Sequence, residues 1–364
     1  VKLTTLDTLA ADKFDGTSID FIKIDAEGAE ADILRGGATF FAEQSPLAMF
    51  ELKHGDEVNT ALIKQFSDMG YNSYRLIPSL NVLVPFSLAE PVPGYMLNLF
   101  ACKEDCAQAL MERGLLLHPI DDKAPLAPAS WDEFLALQPW IEASNTGWAD
   151  WGRGELRAAD QILKDALCHW AAAHKPHSAE DDQDKHAAAM LRYKQLLAAS
   201  QRIQSHPSLH DSTAQGRPPL LLTAARIMGD MGQRGIRLNY LRDVSNDLTS
   251  GNVQLPAPFL APAARFDNLT EDFNMVGWLG TGIVETINDL QAFSNCFVDP
   301  NAGIELMKPL ITSSYPRAET ARRYILMVLK TGAKFDGPLP APFALLGQEA
   351  PDHRNAAKWQ PYLA

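Results

Sequence analysis

The sequence predicts an α/β domain followed by a mostly α-helical one. Within residues 1–110, short apolar runs alternate with amphipathic stretches. That is the pattern of strands joined by helices in a sheet covered on both faces. From Trp131 onward the apolar spacing is helical instead. Between the two, residues 118–130 carry Pro119, Pro125 and Pro128, which mark a linker. The expected organisation is therefore 1–115, the C-terminal part of a sheet domain; 116–130, linker; 131–335, helical domain; and 336–364, an extended Pro-rich tail.

The elements follow in order. Ser18–Asp25 (SIDFIKID) reads as a largely buried strand ending in an acid. A helix follows, with Ala29, Ile33, Leu34 and Phe40 or Phe41 at helical spacing, and Gly36-Gly37 weakening or ending its first part. Pro46–Leu52 is a second buried strand ending near Glu51, and Asn59–Met69 a helix closed by Gly70. Tyr71–Ile77 and Tyr95–Lys103 read as two strands that pair as an antiparallel edge across a Pro-rich connection. Further on, helices are expected over 154–174, 186–203, 220–229, 233–248, 275–293 and 319–331, with Trp140, Trp148, Trp151 and Trp170 packing their core. Residues 220–244 resemble a single tetratricopeptide unit, without a second at a fixed offset; a generic helical bundle explains them equally well.

Composition narrows the function. Of 364 residues, 46% are hydrophobic and 21% charged, a globular balance. The net charge is −13, with 9 basic and 17 acidic side chains in residues 1–115 and 23 and 28 in the rest. Both parts repel a phosphate backbone or an anionic membrane on average, so no nucleic-acid partner is expected. No apolar run reaches the length of a membrane span, so a soluble protein is expected, and no leader peptide is visible; the four sparse cysteines read as reduced thiols in a cytoplasm. Cys102, Cys106, Cys168 and Cys296 are too sparse for a disulfide framework and lack zinc-site spacing.

The chemistry concentrates in IDFIKIDAEGAEADILRGG, residues 19–37. In an open α/β sheet, ligands bind beyond the carboxyl ends of the strands. That places Asp25 and Glu27 at a site edge, with Glu30 on the first helical turn. Lys23 shares a strand face with Asp25, so an ion pair is available. Gly28 allows a tight turn or a close ligand approach. Glu27 and Glu30 have a second explanation, since acids favour a helix N-terminus. His54 follows Glu51 beyond the next strand end; a solvated loop histidine is its plain reading. Asp7 reads equally as a cap for the helix DTLAADKF and as a site residue, while Arg35 reads as structural. HPSLH places His206 and His210 four apart, but Pro207 argues against a helix there and for surface histidines. GWLGTG (277–282) follows no strand and reads as packing or a helix break.

TTLDTL, IDFIKIDAEGAEADILRGG and PLAMFEL together resemble the second half of an FkbM-type S-adenosylmethionine-dependent methyltransferase. The matching positions are Leu6, Asp7, Lys23, Ile24, Asp25, Glu27, Gly28, Glu30, Leu34, Arg35, Gly36, Pro46 and Glu51. GYNSYRLI and YMLNLFACK are similar to the family's closing hairpin, so the resemblance covers roughly residues 1–105. It implies an incomplete Rossmann-like methyltransferase sheet, S-adenosylmethionine as cofactor, and O-methylation of a glycan or secondary-metabolite hydroxyl. The family's D-x-G-x-N-x-G cofactor loop has no counterpart, so the chain is expected to be a fragment lacking its first strands. On this reading Asp25, Glu27 and His54 are catalytic candidates. Asp25 and Asp7 contact cofactor, Glu27, Glu30 and Glu51 contact the acceptor, and no metal is required. The helical part then binds the acceptor or a protein partner. Two alternatives stay open: a noncatalytic interaction scaffold with a degenerate half-sheet, and a metal-dependent hydrolase using Asp25, Glu27 and Glu30.

Overall fold

The computed structural model describes residues 3–14, 17–26, 28–54, 57–58, 60–87, 98–118, 126–176, 183–214, 216–250, 254–268, 274–291, 300–315 and 317–332, with Ala357 and Gln360. Two compact units share the chain. The first comprises 1–134, 158–206 and 227–237; the second comprises 135–157, 207–226 and 238–364. Glu27 and the tail, apart from those two residues, lie outside the described residues.

The first unit opens with α1 (Leu6–Lys13), capped by Thr5, whose hydroxyl accepts the Thr8 N–H. Asp7 lies inside this helix and is not its cap, one of the two readings its sequence allowed. Next come β1 (Phe21–Ile24), α2 (Glu30–Arg35), α3 (Ala38–Glu43), β2 (Leu47–Glu51) and the small antiparallel hairpin β3 (Lys53–His54) and β4 (Glu57–Val58). Then follow α4 (Ala61–Asp68), β5 (Asn72–Ile77), β6 (Val82–Pro85), β7 (Asn98–Cys102) and α5 (Glu104–Glu112). Gly70 sits at φ 82°, a conformation that favours glycine, and closes α4 as the sequence indicates.

The five-stranded sheet has the order β1-β2-β7-β5-β6. Only β1 and β2 pair in parallel; β2–β7, β7–β5 and β5–β6 are antiparallel. The sheet is α/β in class but mixed, rather than parallel with one antiparallel edge pair. β5 and β7 do pair, yet the edge is β6, hidden in the sequence by its brevity and by Pro85. Proline is tolerated on an edge strand, where no ladder donor is lost. β1 forms the opposite edge, so Phe21 is 51% exposed and the strand is less buried than its apolar run implies.

One sheet face buries Ile24, Ala48, Phe50, Leu99 and Ala101 against Leu34, Phe40, Phe41, Leu62 and Phe66 of α2–α4. Phe50 and Phe66 rings lie 4.6 Å apart. The other face packs Tyr74, Leu83 and Cys102 with Ala107 of α5. The chain continues through α6 (Trp131–Leu137), α7 (Trp140–Ala143), α8 (Trp148–Trp151), α9 (Ala158–His174) and α10 (Lys185–Gln204). α9 and α10 belong to the first unit. There Trp170 is buried, and His169 Nδ1 lies 2.6 Å from Gln195 Oε1. His206, just past α10, is buried rather than on the surface, and burial lowers its pKa; it lies outside any helix.

α11 (Arg217–Asp230) and α12 (Arg234–Thr249) form the expected helix pair, turning through Gly232 at φ 80°. The remaining helices are α13 (Met275–Gln291), α14 (Pro300–Ile311) and α15 (Ala318–Lys330); α14 is not apparent from the sequence. In the second unit Trp140, Trp148, Trp278 and Phe259 form an aromatic core, while Trp151 is half-buried. Glycines 277–282 lie within α13 without breaking it. A Cβ on Gly282 would come within 3.0 Å of Pro262, so this glycine serves packing. Among the described residues no helix is long and apolar enough to cross a membrane.

Candidate functional site

The register Lys23↔Met49 and Ile24↔Phe50 carries β1 and β2 side by side to their carboxyl ends. Strand alternation directs Ile24 and Phe50 into the core, so Lys23, Asp25 and Glu51 share the opposite face. Lys23 Nζ lies 2.7 Å from Asp25 Oδ2, with the two side chains 51% and 39% exposed. This hydrogen bond and the Lys23 charge hold the Asp25 carboxyl below the usual range, against the opposing effect of burial; a hydrogen bond with Glu51 acts in the same direction. Lys23 is raised in turn, first by its hydrogen bond to Asp25, with Glu51 adding a smaller attraction. The structure thus joins Asp25, Lys23 and Glu51 at the ends of two parallel strands.

The loop after Asp25 is held by Glu30, which is only 5% exposed. Its Oε1 accepts the Ala26 N–H at 2.9 Å, and both carboxylate oxygens accept the Gly28 N–H, at 3.1 and 3.0 Å. Gly28 sits at φ 102°, which favours glycine and lets its N–H turn back to the carboxylate. The Glu30 oxygens thus organise the loop that follows Asp25.

Asp7 bonds elsewhere. Its Oδ1 accepts the Phe40 N–H at 2.8 Å and its Oδ2 the Thr39 N–H at 3.2 Å, capping α3 from a distant helix. Burial pushes the Asp7 pKa up, but these backbone bonds outweigh it and leave the group below its ordinary value. Gly36 ends α2 and Gly37 begins α3. A Cβ on Gly37 would lie 2.8 Å from Leu6 Cδ2. The double glycine therefore lets α1 approach, which brings Asp7 to the N–H groups of α3. Arg35 pairs with Asp32 on the surface of α2.

His54 lies on β3, beyond the carboxyl end of β2 and opposite Glu57. Register supplies one residue that sequence reasoning missed. Asn98 at the start of β7 stands opposite Glu51, which puts it on the Glu51 face of the sheet. Nothing in its local sequence marks it; only the antiparallel pairing does. Among the described residues no group of three or more His, Cys, Asp or Glu side chains is arranged to hold a metal ion.

Lys23, Asp25 and Glu51 form an open, mixed-charge cluster suited to hydroxyl and ammonium groups. Carboxylates accept hydrogen bonds from such groups and offset a positive ligand. Comparison with known proteins bears on this segment: residues 1–73 match the family model of the methyltransferase FkbM domain, about a fifth of the chain. The match supports a methyltransferase at the family level and contains Asp7, Lys23, Asp25, Glu30, Glu51 and His54. No curated protein and no solved structure matches the chain.

Proposed function

From the match of residues 1–73 to a methyltransferase domain, we propose that this chain carries part of an S-adenosylmethionine-dependent O-methyltransferase site. The acceptor is a hydroxyl of a glycan or secondary metabolite. One observation carries the reading: Asp25 and Glu51 meet beyond the ends of adjacent parallel strands, inside the matched segment, with Lys23 bonded to Asp25. Two carboxylates there fit a positive, hydroxyl-bearing cofactor. Asp25 and Glu51 would hold its hydroxyl or ammonium groups, and Lys23 tempers their charge.

S-Adenosylmethionine, when bound, supplies an electrophilic methyl group on a sulfonium. Transfer of that group to an acceptor hydroxyl would leave sulfur as the neutral thioether and the hydroxyl proton for a base of this chain to take. Asp25 is too acidic, beside Lys23, to be a strong base. Its assigned role is to accept hydrogen bonds from the cofactor's hydroxyl or ammonium groups beside Glu51. His54 and Glu27 are the assigned proton acceptors, and Glu30 holds the loop that follows Asp25; Asp7, the cap of α3, is given no part in the site. Much of the rate then rests on positioning.

Turnover of S-adenosylmethionine against a panel of hydroxylated sugars and polyketides tests the reading. Methyl transfer that falls by about a hundredfold or more in Asp25→Asn and in His54→Ala supports it. Undiminished transfer by both variants overturns the assignment.

A further inference from the structure

At the sheet edge opposite β1, the first unit holds a cavity of about 450 Å³. Three segments wall it: the β5–β6 turn, the turn after α5, and the first two turns of α10. The β5–β6 turn passes through Asn81 at φ 55°, and the second turn through Gly114 at φ 69°. A Cβ on Gly114 would lie 2.6 Å from the Lys185 carbonyl oxygen, so the glycine lets the two segments meet and close one wall.

The lining has two characters. Leu80, Val82 and Leu115 give an apolar side, and Arg113, Lys185 and Arg192 give three cations. Lys185 and Arg192 stand two turns apart on one face of α10, with Ala188 and Ala189 between them as small residues. Arg192 Nη2 donates to the Lys175 carbonyl oxygen, which fixes its guanidinium. Two acids that flank these segments, Asp184 and Glu112, have other partners, while Glu180, Asp181 and Asp182 lie outside the described residues. Asp184 accepts the Ala187 N–H as the cap of α10, and Glu112 accepts from Gln108 Nε2 at 3.2 Å. Among the described residues no acidic side chain lines the cavity. In a chain of net charge −13, three cations lining one apolar hollow are out of keeping with the average surface.

We propose that this cavity binds a small organic phosphate, with the phosphate between Arg113, Lys185 and Arg192 and an apolar body against Leu80, Val82 and Leu115. Two guanidinium groups and an ammonium match a dianion better than a monocarboxylate, and arginine forks fit phosphate oxygens. The volume falls within the ordinary range of small-molecule sites. The site is separate from the Asp25 cluster and does not depend on the methyltransferase reading.

Calorimetric titration of the 364-residue chain at fixed ionic strength, with phenyl phosphate, inorganic phosphate and benzoate as probes, tests the proposal. Phenyl phosphate is expected to bind at one site, about tenfold or more tighter than either other probe. Arg113 and Lys185 are exposed, so Arg113→Gln with Lys185→Gln is expected to keep the fold while weakening phenyl phosphate by about tenfold or more. Amide shifts at Gly114 and Ala188 on titration locate the site independently. The proposal is overturned if phenyl phosphate fails to saturate the folded chain, if the double variant binds it equally well, or if inorganic phosphate binds as tightly.

Discussion

Lys23 Nζ and Asp25 Oδ2 meet at 2.7 Å, two residues apart on one face of an edge strand. The contact sets the ionisation of the acid that stands beyond the strand end, and it defines what that acid can do. An aspartate held acidic by an ammonium is a hydrogen-bond acceptor at neutral pH, not a proton reservoir.

Replacing Lys23 with Met removes the hydrogen bond and the charge that lower the Asp25 pKa. The Asp25 carboxyl is expected to titrate higher in Lys23→Met, followed by NMR of its side-chain carbon. Stability should hardly change, because the pair is solvated. An unmoved titration would show that Lys23 does not control Asp25.

Glu30→Ala strips the Ala26 and Gly28 N–H groups of their acceptor. Leaving partly buried donors unsatisfied costs about 1–3 kcal/mol. Urea denaturation reads this loss, and Glu30→Gln should restore part of it, since an amide oxygen still accepts. A loss no larger for Ala than for Gln would mean that the loop is held by other contacts.

Gly37→Ala tests the approach of α1. Gly37 has φ −121°, which any residue adopts, so the cost is steric: Leu6 Cδ2 would be closest to the new Cβ at 2.8 Å, with the Ile33 carbonyl oxygen and Leu6 Cβ at 3.2 Å. Overpacking of this kind destabilises by about 1–3 kcal/mol. Leu6→Ala should relieve it, so the two substitutions are expected to be non-additive in a double-mutant cycle. Simple additivity would place the clash elsewhere.

Acid sensitivity of the second unit should report on Glu319. Burial raises its pKa, but hydrogen bonds from Arg322 and Arg323 overcome this and bring it to about 2, from an ordinary 4.5. A folded pKa below the unfolded one contributes stability above pH 4.5, and that contribution disappears as pH falls from 4.5 towards 2. Glu319→Gln should therefore be less stable than the parent at pH 6, with the difference shrinking through that window in thermal unfolding. A difference independent of pH would contradict the pairing.

Much of this was legible in the sequence. Apolar runs ending at Asp25 and Glu51 gave β1 and β2, and period-3.6 spacing gave α9–α13 and α15 to within a few residues. Gly36-Gly37 marked the break between α2 and α3. What was hidden depended on distant contacts. The four-residue β6 is too short to show a period and ends in proline. Asn98 acquires its place only through the β2–β7 register. Asp7 reads locally as a helix start, yet its carboxylate caps α3, more than thirty residues away. Phe21 reads as core, but edge position exposes it, and His206 reads as surface, but tertiary packing buries it.

Calorimetric titration of S-adenosylmethionine into the 364-residue chain, with and without Asp25→Asn, reads whether the Asp25 cluster takes part in binding it. Saturable binding is expected, weakened by about tenfold or more in the folded Asp25→Asn variant. A folded chain that binds no S-adenosylmethionine, or an Asp25→Asn variant that binds it as tightly as the parent, would contradict that role for Asp25.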